Sequence, residues 1–126
     1  MRVLALPCAL LCALFVAACG ASLATRYEAG NRAVSDGEGA LYFILISPRI
    51  QRALNDCIPA GTPGAAPVLV LVADVTRGGE MQDVDIEPDS PGTDCVVQRL
   101  RERPLPPPPV AAGAASFPIG LRIETK

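Results

Sequence analysis

A chain of 126 residues with a formal charge of −2 has room for one small domain, and 50% of its residues are hydrophobic. It contains no histidine, the commonest general base and metal ligand at neutral pH, and no tryptophan, so any partner surface must be aliphatic, polar or backbone. Arginines cluster only at Arg99, Arg101 and Arg103, without interleaved aromatics, which is too narrow a footprint for nucleic acid.

Residues 1–18 read as a secretory leader: Met1-Arg2 is a short positive start, and residues 3–18 are an apolar run interrupted by Pro7 and ending in small residues. The run is shorter than the roughly twenty residues a membrane span needs. Its end, Val16-Ala17-Ala18-Cys19-Gly20, resembles the bacterial lipobox. That resemblance implies a diacylglycerol thioether and an amide-linked acyl chain on Cys19, and an anchor of more than one chain holds stably. Gly20 and Ala21 lack the aspartate that retains lipoproteins at the inner membrane, which points to the outer membrane, facing the periplasm. The alternative is an ordinary leader cut nearby, with Cys19 lost or left as a free thiol.

Cysteine arithmetic favours the lipoprotein. Of five cysteines, Cys8 and Cys12 leave with the leader and Cys19 takes lipid, so Cys57 and Cys95 remain as an even pair in an oxidising compartment. Without Arg2 the mature chain has ten basic and thirteen acidic residues.

Residues 19–40 are rich in Ala, Gly and Ser and read as a flexible tether, with one weak helix over residues 23–33 as the alternative. A single domain is expected over residues 41–126. Its first segment, residues 41–46, is a continuous apolar run read as a buried strand; an extra turn or a patch held against a partner fits the pattern equally. Ser47-Pro48 has the form of a helix start, and Ile50, Ala53, Leu54 and Cys57 share one face of the helix that follows. Pro59 and Gly61 end it, and residues 61–67 form a loop.

Residues 67–76 and 81–88 read as a β-hairpin joined through Arg77-Gly78-Gly79-Glu80. The first strand is β-branched and nearly continuous, so it is expected at the centre of the sheet with both faces covered in its first half. In the second, Val84 and Ile86 face inward while Asp83, Asp85 and Glu87 face outward. The acidic series suggests calcium, but alternate residues on a strand stand about 6.5–7 Å apart, too far to share one ion without a bend. A solvated face that discourages edge pairing is the reading preferred, and no metal site is expected.

Asp94 is expected to cap a helix running from Cys95 to about Arg103, placing Cys95 in its first turn. A thiol there has a lowered pKa, yet no histidine serves it, so a structural Cys57–Cys95 disulfide is preferred over a nucleophile. The run Pro104-Leu105-Pro106-Pro107-Pro108-Pro109 should be extended polyproline II. It is read as a rigid bridge, with Pro106, Pro107 and Pro108 kept as candidate docking residues. Phe117, Ile119, Leu121 and Ile123 alternate with Pro118, Gly120, Arg122 and Glu124 in a last strand, at an edge because of Pro118. The expected fold is α+β: a small two-layer domain, an antiparallel sheet of about three strands, two helices on one face and one disulfide.

With that element order, residues 57–124 resemble the TonB C-terminal-like domain, most nearly its AgmX/PglI-type branch. The resemblance rests on the helix ending in Cys57, the strand pair around Gly78-Gly79-Glu80-Met81-Gln82-Asp83-Val84-Asp85-Ile86, Cys95 with Leu100, Pro104-Leu105-Pro106 and Phe117-Pro118-Ile119. It implies a noncatalytic periplasmic module that meets envelope proteins, often through a strand edge. The lipobox replaces TonB's membrane helix and the tyrosine-proline signature ahead of the sheet is missing, so energy transduction is not carried over. The function expected is a lipid-anchored, protein-binding adaptor, with Arg122 and the prolines as contacts. An inhibitor of an extracytoplasmic hydrolase, using residues 61–67, is the alternative. No catalytic residue, cofactor, small-molecule substrate or nucleic-acid partner is expected, because no carboxylate pair, Ser-His, Cys-His or phosphate loop stands in a recognisable motif.

Overall fold

The computed structural model describes residues 22–125; the leader, Cys19 and the first residues of the expected tether lie outside them. Helix α1 covers Leu23–Ala33, and Ser22 caps it, its side chain accepting from the Thr25 backbone N–H at 3.2 Å. Helix α2 follows over Gly37–Cys57. Two strands, β1 (Val68–Thr76) and β2 (Met81–Glu87), make the hairpin; helix α3 (Pro91–Arg101) and strand β3 (Ser116–Glu124) complete the domain. The sheet is antiparallel in the order β2-β1-β3, so β1 is central and β2 and β3 are edges. The fold is α+β, as expected, with three helices among the described residues.

Within the segment read as a tether, residues 23–33 form the helix given above as the alternative, and α1 packs on the sheet because Gly30 and Gly120 carry no side chains: a Cβ on Gly30 would collide with the backbone of Ile119 and Gly120. Gly120 pairs with Val72, so both lie on the face opposite the core residues Leu71 and Leu121, and α1 is what buries Val72. The cover on that face therefore lies over the middle of β1, not its first half; Val68 and Val70 are only half-buried.

Residues 41–46 are not a strand. They lie inside α2, which starts ten residues ahead of Ser47 and runs through Pro48. Proline removes one helical hydrogen bond and crowds the turn before it. Here it sits on the solvent side, while Tyr42, Ile46, Ile50, Ala53 and Leu54 are buried on the other. Burial of that face holds the helix across the interruption. Helix α3 also starts earlier than expected: Ser90, not Asp94, caps it, with Pro91 in the first position and a reciprocal Ser90–Thr93 capping box. Cys95 therefore stands in the second turn.

One core joins these elements. It contains Ile46 and Ile50 of α2, Val96 and Leu100 of α3, and Leu69, Leu71, Ala73, Val75, Phe117, Ile119 and Leu121 of the sheet. Met81 and Ile86 both enter it although five positions apart, because the β1–β2 register slips between Val72 and Asp74. Asp83, with φ +50°, absorbs the extra residue. The Cys57–Cys95 disulfide, with Cα atoms 5.7 Å apart, ties the end of α2 to α3.

Candidate functional site

The β3 edge is the candidate. Thr125 donates its backbone N–H to Pro67 at 2.9 Å, so odd-numbered residues of this strand turn their backbone polar groups toward β1. Even-numbered residues turn theirs outward. Pro118 occupies an outward position, where its missing N–H interrupts no ladder bond. At Gly120 the outward carbonyl is taken by the Asn31 side chain, at 3.4 Å. Arg122 and Glu124 come next, both exposed, and among the described residues no strand pairs with them on the side away from β1.

Beside this stretch runs a groove of about 370 Å³. It is lined by Leu121 to Glu124 of β3, by Phe43, Ser47 and Leu54 of α2, and by Asn31 and Val34 at the end of α1. Phe43 stays 36% exposed beside it. The β2 edge is different: the bulge at Asp83 distorts it, Arg26 donates to the Asp83 carbonyl, and Asp85 and Glu87 are exposed. Bulges and charge are the usual devices for blunting an edge. The β3 pairing with β1 runs without a slip from Ser116 to Glu124.

The proline segment is fastened to the domain. Leu105 donates its N–H to Gly79 at 2.8 Å, Tyr42 donates its hydroxyl to the Pro106 carbonyl at 2.8 Å, and Arg49 donates to the Arg103 and Pro104 carbonyls. Pro108 is buried, Pro106 half-buried, and Pro107 exposed. A buried ring presents little to a partner, whereas Pro107 stays open to solvent. Tyr42, buried beneath it and edge-on to Phe117, has its phenol pKa pushed up to about 12 by desolvation.

Sequence reading singled out Arg122 but missed Phe43, Ser47 and Asn31. Phe43 lay in a run read as strand, and Asn31 in the expected tether. Part of the run read as a strand, or alternatively as a patch, is exposed: Leu41, Ile44 and Leu45, 68%, 67% and 57% exposed, form a stripe on α2 opposite the core. Among the described residues no helix is long and apolar enough to cross a membrane, and no three His, Cys, Asp or Glu side chains stand together as a metal site.

Comparison with known protein families, characterised proteins and solved structures finds no match. The class that the fold defines is thus a small α+β domain with a three-stranded antiparallel sheet and one disulfide.

Proposed function

We propose that this chain is a noncatalytic, lipid-anchored envelope lipoprotein that acts as an adaptor, holding a protein partner along the outer edge of β3. The observation that carries this reading is the pair Arg122 and Glu124, whose outward backbone groups border a groove that Phe43, Ile50 and Leu54 also line. An extended segment added there gains main-chain hydrogen bonds from the edge and side-chain burial from the groove, the ordinary division between affinity and specificity in strand addition. The likeness of residues 57–124 to TonB C-terminal-like domains supports the same use of a strand edge. The lipobox-like sequence ending at Cys19 supports attachment to the outer membrane, facing the periplasm.

The test is a photo-crosslinking amino acid in place of Arg122, activated in intact cells, with adducts from the membrane fraction identified by mass spectrometry. A discrete protein adduct that disappears with Phe43→Asp is expected. A membrane-bound, disulfide-linked chain that yields no adduct would remove the edge as the contact.

A second reading, an inhibitor of an extracytoplasmic hydrolase, draws on the loop after α2. Residues 61–67 are largely exposed, and hydrogen bonds from Thr62 to Pro59 and from Ala65 to Thr62 brace them beside the disulfide-bearing end of the helix. Stoichiometric loss of a hydrolase activity on adding the protein supports this reading, and an unaffected panel of envelope hydrolases removes it.

A further inference from the structure

We infer that the β3 edge is self-complementary, and that when no partner holds it a second copy of the chain pairs with it, antiparallel, about Ile123. The inference rests on the reading of residues 121–124 as a strand acceptor.

Consider two copies related by a two-fold axis perpendicular to the sheet. That axis preserves the faces, so even-numbered residues must lie opposite even-numbered residues, and only registers of that parity are allowed. Centred on Arg122, the pairing puts two arginines opposite each other; centred on Glu124, it opposes two glutamates. Like charges directly opposite are destabilising. Centred on Ile123, it puts Arg122 opposite Glu124 of the other copy, twice, with the two isoleucines meeting on the axis.

The same register satisfies the backbone. Arg122 and Glu124 are the outward positions, so each Arg122–Glu124 couple exchanges its two N–H···O bonds, and Ile123 falls at the non-bonded pair where side chains approach most closely. Neither Arg122 nor Glu124 is in an ion pair within the described part of the chain. Ile123 packs against the core from its partly buried position. The β2 edge has no such register, because the bulge at Asp83 breaks its period and its exposed charges are all acidic.

The occupant of the edge is then set by concentration. At high local density the second copy closes it, and a partner strand enters by displacing that copy. Few residues take part, so the association is weak and salt-sensitive rather than obligate.

Charge reversal tests the register. The mature chain, kept in detergent micelles at one chain per micelle or fewer, is followed by analytical ultracentrifugation against concentration. Wild type should show a concentration-dependent dimer. Arg122→Glu alone and Glu124→Arg alone should each weaken it about tenfold, since each turns both couples flanking the axis into like-charge pairs. The double variant should return to within about threefold of wild type, because reversing both restores both pairs. Ile123→Cys should form a dimer disulfide on mild oxidation. A chain that stays monomeric at every concentration overturns the self-pairing, as does a double variant no better than the singles, or a dimer indifferent to all three substitutions. Photo-crosslinking from position 122 to a different protein would still stand in each case, so self-pairing can fail without the adaptor reading failing. Loss of every adduct in cells would remove the β3 edge as the partner's contact.

Discussion

Gly30 of α1 and Gly120 of β3 lie backbone against backbone: a Cβ on Gly30 would meet Gly120 N, and a Cβ on Gly120 would meet the Tyr27 carbonyl. Neither obstacle is a flexible side chain, so the methyl group can be accommodated only by lifting the helix. In an exposed helix Gly→Ala gains about 1 kcal/mol. Here Gly30→Ala and Gly120→Ala should each cost about 1–3 kcal/mol, the price of overpacking. Gly78→Ala, where a Cβ would meet only the Thr76 hydroxyl at 4.0 Å, should be near neutral. Thermal unfolding of the three variants checks the contrast.

Helix and strand make opposite predictions for Ile44 and Ile46. On a strand the two side chains would share a face; on α2 Ile46 is fully buried while Ile44 is 67% exposed. Ile46→Ala should lower stability by about 2–5 kcal/mol, and Ile44→Ala by no more than about 0.5 kcal/mol. Denaturant unfolding at equilibrium reads both, and equal losses would refute the helix.

Tyr42 gives the domain an alkaline limit. Burial disfavours its phenolate and moves its pKa from 10.0 to about 12, and the neutral hydroxyl donates to the Pro106 carbonyl. The folded state thus holds the proton more tightly than the unfolded chain. The stability this contributes is fully present below pH 10 and is lost as pH rises through about 12. Its size is on the order of 2 kcal/mol. Tyr42→Phe should flatten the fall in stability over that window, at a cost near 1 kcal/mol at neutral pH for the lost hydrogen bond.

The disulfide closes a loop of 38 sequence steps. Loop-closure entropy assigns it about 3–4 kcal/mol, a large share for a domain this size. The double variant Cys57→Ser/Cys95→Ser should lose most of the resistance to urea that the oxidised chain shows, with its α+β circular dichroism retained in the absence of denaturant. If the midpoint does not move, the bridge contributes nothing to stability.

Residues themselves determined the strands. Val68 to Thr76 is β-branched, residues 117–124 alternate, and Pro118 marks an edge; each signal is local, and each strand was found within a residue or so of its place. The cysteine pair followed from counting under the expected leader and lipidation, which leave Cys57 and Cys95 with one way to combine, and the two are bonded.

Tertiary structure decided the helices. A continuous apolar run such as residues 41–46 has no period to distinguish strand from helix, and it became helix because Tyr42, Ile46 and Ile50 reach the core together at that spacing. The segment before it looked like a tether because small residues carry little burial signal. It is ordered because Gly30 finds Gly120, an approach between segments that no local pattern encodes. The groove at the β3 edge has the same origin: Arg122 and Glu124 were visible as alternating charges, but Phe43 and Asn31 became its neighbours only when α1 and the first half of α2 packed beside the last strand.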